Sequence, residues 1–233
     1  MGDALTMTME DLLVDAAHAV DLLQADERID ASRIGVMGFS QGGRLAPLLA
    51  ARIPGLTTAV SVSGPLVSVM ETRLYALEHS FLRAGVRPSM VDSAMVFWRR
   101  HLDLHARPSD AEAARLDAET HAMQPHMPNG LLPPAWDQRE RNEIMNSMGL
   151  DVMKPLASLR TPWLALFGAD DIVVPVANSL RQLHTAMTTS GNENARVRVY
   201  AESNHNMVHI PTRQDTPFQQ EIFDWLFDAF RVQ

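Results

Sequence analysis

The apolar positions of this chain change period along its length. Leu12, Ala16, Val20 and Leu23 recur at helical spacing, with Asp15, Asp21 and Gln24 elsewhere around the turn. Thr8, followed three residues later by Asp11, resembles a capping box and predicts a helix opening there, with acids in the turn where the helix dipole favours them. A polar turn, Asp26 to Arg33, leads to I-G-V-M-G-F at 34–39, whose short uncharged apolar run predicts a buried strand. The stretch S-Q-G-G-R-L-A-P-L-L-A-A-R follows as a helix opening on two glycines, and T-T-A-V-S-V-S-G at 57–64 reads as a second strand. Strand alternating with helix predicts a parallel sheet.

From Pro65 to about Pro155 the character changes. Eight of the fourteen prolines fall here, with helix-like stretches at 66–83, 89–105, 109–123 and 137–148 and no convincing strand, which predicts a largely helical insertion. The strand–helix rhythm then resumes. P-W-L-A-L-F-G at 162–168 is a strand, and Pro175 opens a helix carrying Val176, Leu180, Leu183 and Met187. A-R-V-R-V-Y at 195–200 alternates apolar residues with arginine, as an edge strand does. In the last helix Thr216 is the expected N-cap, with Pro217 at N1 and Gln219 at N3, and Phe218, Ile222, Trp225, Leu226 and Ala229 form the apolar face. The domain organisation expected is an α/β core from 1–64 and 156–233 interrupted by a helical insertion at 65–155.

Composition narrows the functional classes. The chain has 233 residues, 46% hydrophobic and 21% charged, as a globular domain with an insertion does. Its net charge of −8 disfavours a nucleic-acid backbone or an anionic membrane as the main partner. With no cysteine there is no disulfide, thiolate metal site or cysteine nucleophile, and the absence fits a reducing compartment. The N-terminus carries no basic region ahead of an apolar run, so no secretory signal is expected, and no uncharged stretch is long and apolar enough to span a membrane. A cytoplasmic location is the expectation that follows.

The strongest chemical signal is G-F-S-Q-G at 38–42. Gly-x-Ser-x-Gly between a strand and a helix is a nucleophile elbow. Its turn is tight enough that side chains at Gly38 and Gly42 are expected to collide with neighbouring backbone, while Ser40 is pushed above the sheet edge. The backbone N–H of Gln41, at the helix start, is aimed at a developing oxyanion. A serine needs a base, and the base an orienting acid, in chain order serine, acid, histidine. The strand at 162–168 runs into G-A-D-D-I-V-V-P, offering Asp170 and Asp171 on the same rim as the serine. Asp171 is preferred, since Asp170 reads as a loop-surface acid. The competing role for Asp171 is to cap the helix after Pro175. E-S-N-H-N-M-V-H after the last strand places His205 on the same rim as the candidate base. His209 gives the pair a metal-like spacing, but no H-E-x-x-H pattern or third ligand accompanies it, so neither metal nor cofactor is expected. His101 and His105 share that spacing inside the insertion, where a solvated helix face is the simpler reading.

Ser40 in G-F-S-Q-G, Asp171 in G-A-D-D-I-V-V-P and His205 in S-N-H-N together resemble the α/β-hydrolase superfamily. The run from Asp11 to Gly43 is similar to the helix–strand–elbow of its dienelactone-hydrolase-like and prolyl-oligopeptidase-like esterases, and the resemblance covers 8–64 and 156–233. It implies that 65–155 is a cap over the substrate pocket. It also implies an acyl-enzyme route in which Ser40 attacks a carbonyl, His205 shuttles the proton and Asp171 orients His205. The substrate class implied is a short-chain or activated ester.

The chain departs from that family in its front half. Only one helix precedes the elbow strand, and the H-G-G-type loop that supplies a second oxyanion N–H has no counterpart. The elbow strand, central in the family, becomes a sheet edge, which predicts a homo-oligomer that covers it. Seven methionines of the insertion (Met70, Met90, Met95, Met123, Met127, Met145, Met148), with Trp98 and Trp136, suit a tolerant acyl pocket, but packing of the insertion's own helices is the favoured use. Two alternatives stay open. One is a non-catalytic or truncated relative acting as a binding module. The other is a small-peptide peptidase, for which Glu78, Asp103 or Glu112 would have to hold a substrate terminus.

Overall fold

A helix first, then four parallel strands with helices between them, is the order realised in the computed structural model, which describes residues 7–106, 110–134, 146 and 148–231. Helix α1 spans Met9–Ala25, β1 Gly35–Phe39, α2 Gln41–Arg52 and β2 Thr58–Val62. The inserted helices are α3 Val69–Arg83, α4 Pro88–Ala106 and α5 Asp110–Met123. The short α6 Met153–Leu156, then β3 Trp163–Gly168, α7 Val176–Ser190 and β4 Ala195–Tyr200 follow. A small hairpin, β5 Val208–His209 and β6 Gln214–Asp215, precedes α8 Phe218–Arg231. The sheet order is β1-β2-β3-β4, all parallel, with Gly38 opposite Ser61 and Val62 opposite Leu166. This is an α/β fold with a four-stranded parallel sheet.

The chain divides into two compact units. In the first, Glu10–Ser68 joins Asp151–Gln233. Its two central strands, β2 and β3, are buried along their whole length, as strands covered on both faces must be. Alternation along β2 assigns the faces. Val60 and Val62 pack with Leu164, Leu166, Met207, Ile222 and Trp225 against α8, whereas the Ser61 hydroxyl donates to the Gly43 carbonyl of α2. Trp225 Nε1 donates to Thr58 Oγ1 at 2.7 Å, tying α8 to the start of β2.

The two edges differ from each other. At β4, Arg196 and Arg198 lie 3.7 and 3.2 Å from Glu221 of α8, so charge guards that edge as the alternation predicts. At β1 the buried strand expected from I-G-V-M-G-F is corrected: its odd positions face outward, with Met37 65% and Phe39 47% exposed. Apolarity alone does not reveal which strands have neighbours on both sides. In α1 the buried positions are Met9, Leu13 and Val20, while Leu23 is exposed. The capping expected of Thr216 is also corrected. Its hydroxyl is buried without a hydrogen-bond partner, its N–H donates to Met207 O, and α8 starts at Phe218 with Glu221 N–H bonded to Pro217 O.

The second unit, centred on Val69–Leu150, contains α3, α4 and α5. Its methionines pack its own helices. Met70, Met95 and Met148 lie against Leu74 and Leu102, and Met90, Met123 and Met127 lie around Ala94, Leu131 and Leu132. A cavity of about 590 Å³ among Leu77, Phe81, Trp98, Met127 and Leu132 remains inside this unit. His101 corrects the solvated-face expectation: it is buried, with Nδ1 2.9 Å from Phe97 O and Nε2 3.5 Å from Asp117 Oδ1. The His105 side chain, Trp136, Met145 and most of the 137–148 stretch lie outside the described residues.

Candidate active site

Strand β1 ends at Phe39 and α2 begins at Gln41, so Ser40 alone makes the turn. Its backbone sits at φ 53°, ψ −115°, a conformation that a residue with a Cβ adopts only under strain of about 1–3 kcal/mol. Two hydrogen bonds hold it there: Ser40 N–H to Val62 O at 2.8 Å and Arg44 N–H to Ser40 O at 3.1 Å. Gly38 is required by close approach, because a Cβ there would overlap the Gly42 carbonyl and come within 2.7 Å of Gly43 N. The collision expected at Gly42 itself is corrected, since a Cβ there meets open space. The crowded partners are Gly43, whose Cβ would lie 2.7 Å from Val62 O, and Gly64 beside it. Arg44, one turn past the serine, is buried, and desolvation pushes its guanidinium down to about 10.

Parallel strands bring their C-terminal ends to one rim. The loop after β3 supplies Asp171, 1% exposed, and the loop after β4 supplies His205. His205 Nδ1 lies 2.7 Å from Asp171 Oδ2, and His205 Nε2 lies 3.0 Å from Ser40 Oγ. The carboxylate divides its work. Oδ1 accepts the N–H groups of Val173 and Val174 at 2.7 and 2.9 Å, and Oδ2 faces the imidazole. Asp171 thus closes its own turn rather than capping α7, whose N-cap is Pro175. Asp170 is exposed, and its N–H donates to Ser203 O of the neighbouring loop. An acceptor at Nδ1 fixes that nitrogen as the protonated one and leaves Nε2 to accept from the serine hydroxyl. The arrangement can move a proton from Ser40 to His205 with no other group shifting.

Several residues that position His205 were not singled out from the sequence. Asn204 Oδ1 accepts the N–H groups of Asn206 and Val208 at 2.9 and 3.2 Å, folding S-N-H-N around the histidine. Ser63, itself at φ 48°, donates its hydroxyl to His205 O at 2.7 Å. The Phe39 ring lies 5.2 Å from the imidazole centroid. The Asn at 204 is the one signal present in the sequence, as an Asx turn beside a histidine. His209 turns away, with Nδ1 2.8 Å from Thr212 Oγ1 and Nε2 3.6 Å from Glu202 Oε2. A groove of about 730 Å³ near Thr57, Pro162 and Ala195 lies at the opposite, N-terminal ends of the strands and does not involve these residues.

Gly168 sets the spacing of the two loops. A Cβ there would overlap the carbonyls of Ser203 and Asn204. Gly168→Ala is therefore expected to lose about 1–3 kcal/mol of stability as overpacked sites do. A shift of His205 by about 1 Å would slow proton transfer from Ser40 about 10²-fold. Denaturant midpoint and the rate at which an alkyl phosphonate labels Ser40, measured on the same sample, check both; labelling at the wild-type rate in the destabilised variant would mean that Gly168 does not set the histidine's position.

A family model described as BAAT / acyl-CoA thioester hydrolase C terminal matches residues 17–213, which include all three side chains. The chain belongs to that family. The chain is 25% identical over 182 residues to a monoacylglycerol lipase of Mycolicibacterium smegmatis, covering 77% of the chain and 57% of the lipase. It is 27% identical over 212 residues to esterase EstD of Thermotoga maritima, covering 88% of the chain and 42% of the esterase. The chain thus spans about half the length of these relatives. Among solved structures it resembles proline iminopeptidase from Mycobacterium smegmatis, with a TM-score of 0.54 and 20% identity over 98% of this chain and 74% of that one. That likeness concerns the fold, which is of the α/β-hydrolase type. No described helix is long and apolar enough to cross a membrane.

Proposed function

We propose that this chain hydrolyses carboxylic esters through a covalent acyl-enzyme on Ser40. The observation that carries the reading is the continuous line Asp171 Oδ2, His205, Ser40 Oγ, with separations of 2.7 and 3.0 Å. Ser40 Oγ attacks the ester carbonyl while His205 Nε2 takes its proton. The buried Asp171 carboxylate stabilises the imidazolium that forms and holds its ring. His205 then gives the proton to the leaving alcohol, the C–O bond breaks, and water repeats the sequence to release the acid. The Gln41 N–H, first in α2, is the oxyanion donor that the chain's own backbone offers. Each such donor is worth about 10²–10³ in rate, so the number present sets how fast the acyl-enzyme forms. Relatives that are a lipase and an esterase support an ester as the substrate class, and the family description adds a thioester as its close chemical variant.

The test is to treat purified protein with a fluorescent alkyl phosphonate and with p-nitrophenyl butyrate and a butyryl thioester. The expected result is one phosphonyl group, found by mass spectrometry on the peptide carrying Ser40, and turnover of at least one acyl substrate. Folded protein that takes no label and turns over neither substrate would sink the reading.

A further inference from the structure

The outer edge of β1 has no partner among the described residues, and its shape matches itself. Thr57 N–H donates to Ile34 O and Ser40 N–H donates to Val62 O, so the even-numbered residues of this strand bond to β2. Gly35, Met37 and Phe39 therefore aim their N–H and C=O groups away from the sheet. Nothing in 34–40 guards this edge: it has no charge, no proline and no bulge, whereas the opposite edge carries Arg196 and Arg198.

The outward residues read Gly, Met, Phe at 35, 37 and 39. Placed antiparallel to a second copy about a two-fold axis through Met37, Met37 meets Met37 of the second copy and Phe39 meets Gly35. All three positions are of the hydrogen-bonded kind, so every outward N–H and C=O finds a partner. The Cβ direction at Gly35 is filled from within, 2.9 Å from Thr58 Cγ2 and 3.6 Å from the Phe230 ring, so the opposing Phe39 ring would rest on Phe230 rather than in a space left at Gly35. On α8, Phe223 and Phe227 fall at i−7 and i−3 from Phe230 and are 67% and 58% exposed. With Met37 and Phe39 they present roughly 400–500 Å² of apolar surface, taking about 200 Å² for a whole aromatic side chain. Two copies together withdraw roughly twice that, and the strand backbones bring the total to the ~1,200 Å² where specific interfaces begin.

We propose that this chain forms a two-fold dimer through antiparallel β1–β1 pairing, joining two four-stranded sheets into one. The inference is independent of the ester chemistry, because its readouts are mass and cross-linking.

The chain has no cysteine, so one introduced thiol can form a disulfide only with another copy. Residues paired across the two-fold have Cα atoms about 5.5 Å apart, within disulfide reach. On mild oxidation Met37→Cys is expected to run mostly as a covalent dimer, while Val197→Cys on the opposite edge gives a few per cent at most. Sedimentation of the wild type at tens of micromolar should show twice the 25.9 kDa chain mass. Met37→Lys, which sets two charges face to face, should sediment as a monomer and weaken the association at least 100-fold. Amide exchange of wild-type Gly35–Phe39 should lose protection on dilution, which tests the pairing without any variant. A wild-type monomer overturns the proposal, including one whose β1 amides stay protected because another stretch of polypeptide covers them. So does a dimer that Met37→Lys leaves intact and Met37→Cys fails to cross-link.

Discussion

Ser40→Ala is expected to lower kcat for p-nitrophenyl butyrate at least 10⁴-fold, toward the ~10⁶-fold range seen when a triad nucleophile is removed. The size follows from what the substitution leaves behind. On the proposed reading the Gln41 N–H and the surrounding surface would still bind the ester, which alone retains about 10³–10⁴ over water. What goes is the hydroxyl 3.0 Å from His205 Nε2, on which the proposed acyl-enzyme forms. The fold should persist, because the hydrogen bonds that hold position 40 use its backbone, to Val62 O and from Arg44 N–H. Alanine keeps a Cβ, and so keeps the strain at φ 53°. Ser40→Gly removes it, and should be about 1–2 kcal/mol more stable than Ser40→Ala in denaturant titrations while equally inactive. Equal stability of the two would mean that the elbow carries no strain. Residual turnover within tenfold of wild type would move the nucleophile elsewhere.

The order of strands and helices was legible because the period and length of the apolar runs change from element to element. V-S-V in β2 alternates between α8 and α2, and A-R-V-R-V-Y announces a charged edge. The three candidate site residues were legible because a parallel sheet delivers its loops to one rim in chain order, and their side chains do meet there. What was not legible depends on neighbours far away in sequence. The exposure of Met37 and Phe39 follows from β1 having a strand neighbour on one side only among the described residues, not from any property of the residues themselves. Gly42 looked crowded and is open, whereas Gly43, Gly64 and Gly168 are crowded by backbone 19 to 36 positions removed. His101 carries a polar ring that reads as surface, yet its nitrogens are met by Phe97 O and Asp117 once α4 and α5 pack. Thr216 has the right residue type for a cap, but its N–H bonds to Met207 O, its hydroxyl is buried without a partner, and the helix starts two residues on at Phe218.

Asp171→Asn should lower kcat by about 10⁴-fold with little change in KM, although the side chain keeps its shape. The reason is the division of labour at the carboxylate. Oδ1 accepts two backbone N–H groups, from Val173 and Val174, in a site closed to water. An amide must put its oxygen there, since its NH₂ would meet two donors and leave them buried and unsatisfied at a cost of about 1–3 kcal/mol each. The NH₂ then faces His205 Nδ1, 2.7 Å from the position that Oδ2 held. A donor at that point requires Nδ1 to accept, so the ring proton moves to Nε2. The nitrogen 3.0 Å from Ser40 Oγ becomes a donor and cannot take the serine proton. Asp170→Asn provides the contrast: that side chain is exposed, and turnover should stay within about twofold. Steady-state kinetics of the two variants, with the imidazole N–H assigned by NMR, checks the argument at both ends. A proton that stays on Nδ1 in Asp171→Asn, or a kcat that falls less than tenfold, would show that Asp171 does not govern the base.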